Sequence, residues 1–331
     1  MKVSIIIPTY NRSTMIEKTL HSFLNQTLDE RQYEIIVCDN NSSDDTKKVV
    51  SNIIEIYPKR VRYLFEPRQG VHFARNTSAK HASGDILYFT DDDMVAEKNL
   101  LEELLKLFDL DEAIGTVTGL VLPLFDEPPP KWVKKYLHNY LLSLTDSHRQ
   151  EKIIVSKSDC GIYSCHQAIK KEVFFRAGGF NPENTQGVWV GDGETGLNIK
   201  IKELGYLFGY SSSSIIHHMI PATRTNLTYL IKRVANQGFC DSYTEYRNHK
   251  SLIGLVLRML KRNTYGFFVF YAFMLLQILR GKKSIRFLPA YLFYYKNRLI
   301  YDFRLLMDAD FRKIVEIDDW LLVDEELEIK I

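Results

Sequence analysis

Four short apolar runs in the first 90 residues constrain the fold more than any other feature of this sequence. Each run has the length and composition of a buried β-strand and is bounded by turn-forming or charged residues. The four runs, with their residue numbers, are VSIII (3–7), EIIVCD (34–39), VRYLF (61–65) and ILYFT (86–90). A chain that begins in this way builds most of a sheet before its first third is complete.

Helical patterns separate these strands. Thr14 and Glu17 have the spacing of a capping box at the start of a first helix, and a leucine-rich helix is predicted at residues 97–108. Strands that alternate with helices need crossover connections, so the sequence predicts an α/β fold whose mainly parallel sheet has helices on both faces. The apolar residues on one face of the first helix are Met15, Ile16, Leu20, Phe23 and Leu24.

Polar residues follow three of the predicted strands. The segment PTYNR (8–12) follows the first strand, Asp39 ends the second, and Asp91, Asp92 and Asp93 end the fourth. Ligands of open α/β sheets bind beyond the carboxyl ends of the strands, where the strand order reverses. The sequence therefore predicts a ligand site at this edge of the sheet.

The three consecutive aspartates need a positive partner. An isolated acidic run is most often solvated surface or charge at a helix N-terminus, but this run follows a buried strand, where repulsion is costly. Mg²⁺ and Mn²⁺ prefer oxygen ligands, and a metal held by one or two carboxylates completes its coordination with phosphate oxygens and water. The triplet predicts a divalent cation that binds together with a nucleoside diphosphate.

Composition narrows the classes of function. The net charge of the 331 residues is +2, which argues against a nucleic-acid partner. The apolar run at residues 3–7 is too short for a signal peptide, so we expect a cytoplasmic protein. Reduced thiols are expected, because the cysteines have neither zinc-site spacing nor the density of a disulfide scaffold. They are Cys38, Cys160, Cys165 and Cys240.

The C-terminal third differs from the rest of the chain in its charge balance and its apolar runs. Residues 251–306 contain ten Lys or Arg and one acid, Asp302. The uncharged run 263–279 is shorter than the roughly 20 residues that span a bilayer, and a second apolar run follows at 287–295. Apolar runs with basic flanks are typical of segments that lie on an anionic membrane, although a helical subdomain packed on a core has the same pattern.

Six sequence blocks, taken in order, resemble glycosyltransferase family 2 on a GT-A fold. They are VSIIIPTYNR, VCDNNSSDDT, GVHFARNTSAKHASGDILYFTDDD, AGGFNPE, GDGETGLNIKIKELGY and IIHHMIPATR. The resemblance covers residues 1–235 and implies an inverting, metal-dependent transfer of a sugar from a nucleotide sugar. It implies a nucleotide-binding half at 1–110, an acceptor and catalytic half at 111–235, and a separate C-terminal helical region at 236–331, which we associate with a membrane surface.

The resemblance also implies where the donor binds. Asp39 matches the acid that pairs with the uracil edge in uridine-using members, and Arg75 matches a basic residue that reaches the nucleotide or its phosphates. By themselves, Asp39 would be a turn former and Arg75 a charge on a helix surface. The residues implied to bind the nucleotide sugar are Pro8, Tyr10, Arg12, Asp39, Arg75, Asp91, Asp92 and Arg224.

A DxD motif that binds ribose and metal is matched by Asp91 and Asp93, so the implied cofactor is Mn²⁺ or Mg²⁺. The family frequently has a metal-contacting histidine after a later strand, where this chain has His217 and His218. Either imidazole suits Mn²⁺, and the common motif favours His217. Arg224 beyond them has the guanidinium geometry that suits a diphosphate.

Inverting transfer needs a carboxylate that takes the proton of the acceptor hydroxyl. Many family members carry a Glu-Asp pair before a helix that ends in Gly-Tyr, and counting back from Tyr206 places this pair at Gly193 and Glu194. We expect Glu194 to be the base, although an acid also suits the first turn of a helix. Asp192 is the acceptor-binding residue or the alternative base. Trp189 either stacks on an acceptor sugar or packs in the core.

The resemblance thus implies transfer of a single sugar to a saccharide or lipid-linked acceptor in cell-surface polysaccharide or glycolipid synthesis. The implied donor is a UDP-sugar. Processive synthases carry a QxxRW motif and long membrane spans, whereas Gln237 is followed here by GFC. One alternative is a nucleotidyltransferase, which would have a glycine-rich basic loop after the first strand. A second is a non-catalytic, membrane-associated module that binds nucleotide sugars.

Overall fold

The computed structural model describes residues 2–133, 139–145, 153–159, 161–185, 187–279 and 286–323. Cys160 and the predicted basic flank formed by Arg280, Lys282 and Lys283 lie outside the described residues. The chain divides into two compact units. The first comprises Met1–Val188, Gly193–Ala222 and Asp318–Ile331, and the second comprises Trp189–Asp192 and Thr223–Ile317.

All four predicted strands are present in the first unit. They pair in parallel in the order β3, β2, β1, β4. Every residue of β1 and β4 is buried, because parallel strands are covered by helices on both faces. The elements are β1 (Val3–Thr9), α1 (Ile16–Leu24), β2 (Tyr33–Asp39), α2 (Thr46–Ile56), β3 (Val61–Phe65), α3 (Val71–His81) and β4 (Ile86–Thr90).

Helix α1 presents the predicted apolar face to the core, but its predicted capping box is wrong. The helix begins at Ile16 with Met15 at the N-cap position, and no side chain caps it. The backbone carbonyl of Arg12 instead accepts hydrogen bonds from the N–H groups of Met15 and Ile16. Backbone turn geometry therefore replaces the expected side-chain cap.

The sheet continues beyond β4 with strands that were not predicted, apart from β11, which contains the expected later strand before His217. The order is β4, β8, β6, β11, β5, and β7 also pairs with β11. Strand β8 runs antiparallel to both β4 and β6, so the α/β prediction is confirmed with a mixed second half. The elements are β5 (Met94–Ala96), α4 (Leu100–Phe108), β6 (Ile114–Phe125), β7 (Ile153–Ser156), β8 (His166–Lys170), α5 (Lys171–Arg176), β9 (Asn184–Thr185), β10 (Val188–Trp189), α6 (Glu194–Glu203) and β11 (Leu207–Ile220).

Strand β1 is the point at which the strand order reverses, since β2 and β4 lie on its two sides. Thr9 at its carboxyl end is opposite Asp39 of β2, and Ile6 is opposite Phe89 of β4. The residues that follow these three strands therefore emerge at one edge of the sheet. This edge is where an open α/β sheet binds ligands.

Asn40 fixes the loops at this edge. Its side-chain amide donates to the carbonyl oxygens of Glu66 at 3.1 Å and Arg68 at 2.7 Å. Its Oδ1 accepts from the backbone N–H of Gly70 at 2.7 Å, directly before α3 begins. Asn40 is buried, so these bonds replace water for three backbone groups of one loop.

The second unit is helical. The predicted domain boundary after residue 235 falls inside its first helix, α7. Its buried acid Asp302 pairs with Arg262, and Glu245 pairs with Arg298. In the described part of the chain, no helix combines the length and apolar character that crossing a membrane requires. The helices are α7 (Leu227–Arg247), α8 (Leu252–Lys261), α9 (Phe267–Leu279), α10 (Leu288–Met307) and α11 (Ala309–Val315).

We expect Asn40→Ala to lower the free energy of unfolding by about 2–4 kcal/mol, because it leaves buried backbone groups without partners. Urea denaturation measures the change. Asn52→Ala, at an exposed position of α2, is the matched control and should change stability little. A loss in Asn40→Ala no larger than in the control would show that the loop does not depend on this side chain.

Candidate active site

The turns after β1 and β2 are tied to each other. The backbone N–H of Asn11 donates to Ser42 Oγ at 2.9 Å, and Asn11 Oδ1 accepts from the N–H of Ser43 at 2.8 Å. Asn11 has a φ of 52°, a left-handed conformation that asparagine tolerates better than most residues. Pro8 is buried at the end of β1, whereas Tyr10 is exposed. The turn thus presents the Tyr10 ring at the rim of the sheet.

Asp39 is buried, and two donors orient its carboxylate. Oδ1 accepts from the backbone N–H of Ser42 at 2.8 Å, and Oδ2 accepts from the Tyr63 hydroxyl at 2.8 Å. Burial raises the pKa of Tyr63, and the hydrogen bond to Asp39 raises it further. A carboxylate has additional lone pairs, so Asp39 keeps acceptor capacity at the rim.

The middle aspartate of the triplet has Arg12 as its positive partner. Arg12 Nε lies 3.6 Å from Asp92 Oδ1. Burial raises the pKa of Asp92 to about 7, the neighbouring Asp93 carboxylate adds to the rise, and Arg12 opposes it. Thr19 also donates its hydroxyl to the Asp92 carbonyl at 2.8 Å. The turn residue Arg12 therefore contacts the triplet itself, which the sequence analysis did not predict.

Asp91 pairs with Arg75. The Arg75 guanidinium is 3% exposed, forms an ion pair with the Asp91 carboxylate and lies 5.4 Å over the Phe180 ring. This burial excludes the interpretation of Arg75 as a charge on a helix surface. Helix α3 thus delivers a fixed positive charge to the end of β4.

The two histidines of β11 point to opposite faces of the strand, as successive strand residues do. His217 Nε2 lies 2.9 Å from Glu97 Oε1, away from the triplet. His218 Nε2 lies 3.6 Å from Asp93 Oδ1. The structure therefore places His218, and not the favoured His217, beside the predicted metal-binding aspartate.

The two ring nitrogens of His218 have different neighbours, which fixes its tautomer. Its Nδ1 is 2.8 Å from the Leu142 carbonyl, and because a carbonyl only accepts, Nδ1 carries a proton. Nε2 then turns a lone pair toward the carboxylate unless a proton or a metal cation is bound. Within the described ranges, no group of three or more His, Cys, Asp or Glu side chains could hold a metal ion by itself.

The two candidate bases have different partners. Glu194, the first residue of α6, accepts a hydrogen bond from the Ser164 hydroxyl at 3.2 Å. Asp192 belongs to the second unit, is buried, and accepts from the Thr244 hydroxyl at 2.7 Å. The side chains of these two acids are therefore held by different helices and loops, although only one residue separates them.

The buried thiol of Cys165 is influenced by the charges of Glu194 and of the aspartates. Burial raises the pKa of Cys165, and the nearby charges of Asp91, Glu194 and Asp93 raise it further, whereas Arg75 lowers it. The charges of these four side chains therefore act on the same buried thiol. No sequence pattern predicts this position, because an isolated cysteine gives no signal of its neighbours.

Trp189 and Arg224 lie in the second unit. The Trp189 ring is stacked on Phe239, with 5.6 Å between ring centroids and an interplanar angle of 11°. Arg224 ends a short 3₁₀ turn after β11 and is partly exposed. One face of Trp189 is thus covered by an aromatic ring, so packing accounts for that face of the side chain.

The family model described as glycosyl transferase family 2 matches residues 4–175, just over half of the chain. The chain belongs to glycosyltransferase family 2. This match includes the strands β1 to β4, α3 and the aspartate triplet, which are the elements that build the edge described above.

Two curated relatives of this family 2 chain cover different lengths. The GalNAc(5)-diNAcBac-PP-undecaprenol beta-1,3-glucosyltransferase of Campylobacter jejuni is 43% identical over 94 residues, 28% of this chain and 29% of that protein. The O-antigen chain rhamnosyltransferase WbaN of Salmonella anatum is 28% identical over 228 residues, 65% of each chain. The chain thus spans under a third of the first relative and just under two thirds of the second.

A solved structure resembles most of the family 2 chain. The mannosyltransferase PcManGT from Pyrobaculum calidifontis, in complex with GDP-Man and Mn²⁺, superposes with a TM-score of 0.58 at 18% identity. The match covers 91% of this chain and 87% of that one. At this identity the likeness is one of fold, and the expected GT-A fold is confirmed.

Proposed function

We propose that the protein is an inverting, metal-dependent glycosyltransferase that moves a single sugar from a nucleotide sugar to a saccharide or lipid-linked acceptor. The observation that carries the proposal is the arrangement at the end of β4, where Asp91 pairs with Arg75 and Asp93 faces His218. A donor-binding acid pair, a cation and a separate carboxylate are the groups that displacement of a diphosphate by a hydroxyl requires.

The nucleotide part of the donor binds at the carboxyl ends of β1, β2 and β4 in this proposal. Tyr10 is exposed at the rim, and Asp39 is held in one orientation with acceptor capacity remaining. A uracil edge offers an N–H donor to such a carboxylate, so we propose a UDP-sugar. Arg75 is fixed beside Asp91, where its charge reaches the phosphates.

The residues next to the proposed diphosphate fit Mn²⁺. Asp93 supplies a carboxylate and His218 an imidazole whose Nε2 faces it, and Mn²⁺ accepts both ligand types. When bound, the cation neutralises charge on the leaving diphosphate. The Mn²⁺ in the mannosyltransferase with the same fold supports this choice. We propose Asp91 as a further metal or ribose contact.

Glu194 acts as the base. The acceptor hydroxyl oxygen forms a bond to the anomeric carbon while the bond from that carbon to the diphosphate oxygen breaks. The proton of the hydroxyl passes to the Glu194 carboxylate, which the Ser164 hydroxyl holds in place. The proposed acceptor roles of Asp192 and Trp189 and the proposed diphosphate role of Arg224 rest on the family resemblance alone.

The acceptor class is proposed from the relatives. The Campylobacter relative is named for a PP-undecaprenol-linked glycan, and the Salmonella relative for an O-antigen chain. The first name describes a glycan linked to a lipid diphosphate, and the second describes a polysaccharide chain. We therefore assign this protein an acceptor of the same chemical kind, used on the cytoplasmic side of the membrane.

We expect Glu194→Gln to lower turnover by about 10²–10⁴-fold, because the amide cannot take the acceptor proton. Donor affinity should stay unchanged, since the nucleotide binds elsewhere. Turnover is measured as release of nucleotide from a panel of nucleotide sugars with Mn²⁺, and affinity by calorimetry. Asp192→Asn is the matched comparison and should mainly raise KM for the acceptor. Full turnover in Glu194→Gln, with loss in Asp192→Asn, would assign the base to Asp192.

We expect Asp93→Asn and His218→Ala to weaken Mn²⁺-dependent nucleotide binding by about tenfold or more, since each removes a ligand of the cation. Calorimetry with UDP in the presence and absence of Mn²⁺ measures the effect. His21→Ala, on the exposed face of α1, is the control. Loss in His217→Ala instead of His218→Ala would restore the choice made from the sequence, and unchanged binding in Asp93→Asn would contradict the metal role.

We also propose that the second unit docks on an anionic membrane. Ile253 and Leu257 of α8 are 77% and 61% exposed, and Phe268 of α9 is 75% exposed. Asp302, the one acid between residues 251 and 306, is buried against Arg262, so the exposed charges of this stretch among the described residues are basic. Apolar side chains beside exposed cations suit the headgroup region of an anionic bilayer.

We expect the double variant Ile253→Asp, Leu257→Asp to abolish sedimentation with phosphatidylglycerol vesicles, because it places charge on the apolar face. Vesicles of phosphatidylcholine should bind the unmodified protein weakly, since the cations then lack a partner. Ile56→Asp, at an exposed position of α2 in the first unit, is the matched control. Equal binding by the double variant and the control would exclude α8 as the docking face.

A further inference from the structure

One face of helix α3 holds the loop that follows α5. Asn76 Nδ2 donates to the Phe180 carbonyl, and its Oδ1 accepts from the Phe180 N–H, both at 3.0 Å. Arg75 and His72 lie against the Phe180 ring, with the imidazole centroid 5.2 Å away. Residues 72, 75 and 76 are one helical turn apart, so a single rigid face makes all these contacts.

His72 fills the space that a side chain at position 193 would need. A Cβ built on Gly193 would lie 2.7 Å from the imidazole Cε1 and 2.8 Å from Nε2. Gly193 also has a φ of 58°, which side chains disfavour. A glycine at position 193, where many family members have a glutamate, therefore leaves the room that the His72 ring occupies.

The Gly193 turn defines where the proposed base begins. Its N–H donates to the Asn181 carbonyl at 3.1 Å, and its carbonyl accepts from Leu197 at 3.4 Å, in the first turn of α6. No side chain caps this helix. The backbone contacts of Gly193, and the ring beside it, thus fix the residue that follows, Glu194.

The His72 imidazole is neutral, and only one of its two ring nitrogens has a hydrogen bond among the described residues. Burial lowers the pKa of His72, and the charge of Arg75 lowers it further. Its Nδ1 accepts from the Glu183 N–H at 3.4 Å, so the proton lies on Nε2. That buried N–H has no hydrogen-bond partner in the described structure. The imidazole therefore meets Gly193 through the shape of its ring and not through a hydrogen bond.

We propose that His72 is a positioning residue for Glu194, acting through Gly193. The ring blocks movement of the Gly193 turn toward α3, and Arg75 on the same helix face holds Asp91. Helix α3 thereby sets the separation between the donor-binding carboxylate and the base. This inference rests on the proposed function of Glu194.

The test compares three substitutions at this position. His72→Ala removes the ring, His72→Asn keeps an acceptor for Glu183 but not the contact with Gly193, and His72→Phe keeps the ring shape. Turnover is measured as UDP release from UDP-glucose and UDP-N-acetylglucosamine with Mn²⁺, and donor affinity by calorimetry. His81→Ala, at the exposed end of α3, is the control.

We expect about tenfold or greater loss of kcat in His72→Ala and His72→Asn, since small displacements of a catalytic group are costly. Donor affinity should be unchanged, and His72→Phe should keep kcat within about threefold. Equal loss in the Phe and Ala variants, retained kcat in the Ala variant, or a parallel fall in donor affinity would each overturn the proposal. His72→Asn carries the test if His72→Ala does not fold.

Crystal structures of the unmodified protein and the His72→Asn variant give a readout that needs no turnover. We expect the Gly193 turn and the Glu194 carboxylate to shift in the variant while Asp91 keeps its place. An unmoved Glu194 would overturn the positioning role. If the unmodified protein releases no nucleotide from any donor, the proposed function fails, and this comparison alone decides the inference about His72.

Discussion

Repulsion among three adjacent carboxylates at the end of β4 is the constraint on which the edge of the sheet depends. The structure gives each carboxylate a different neighbour: Asp91 pairs with Arg75, Asp92 with Arg12, and Asp93 faces His218. These neighbours come from a helix, a turn and a distant strand. The electrostatics of the triplet therefore hold together elements that are far apart in the sequence.

The three carboxylates differ in their environments as well as in their partners. Asp92 is buried against Arg12, which belongs to the turn after β1, and burial raises the pKa of Asp92 to about 7. Asp93 faces an imidazole nitrogen that can bind a cation. The middle aspartate is thus tied to the turn after β1, while Asp91 and Asp93 face Arg75 and His218.

Local sequence patterns were sufficient for much of the fold. The four predicted strands are present, and the predicted apolar face of α1 is buried apart from Met15, which is the N-cap residue. The predicted capping box of Thr14 and Glu17 was wrong, because the N–H groups at the start of the helix donate to the Arg12 carbonyl instead of to a side chain. Strand β8, antiparallel between β4 and β6, was not predicted, since pairing partners leave no trace in local composition.

The sequence by itself determined which residue types stand at the strand ends, and with them the family and the chemistry open to the site. Periodicity and burial act over a few residues, so they can be read locally. Only the tertiary structure decided that His218 rather than His217 faces Asp93, that Arg12 contacts Asp92, and that His72 fills the space beside Gly193. Such contacts depend on how distant elements pack, and no local pattern encodes that packing.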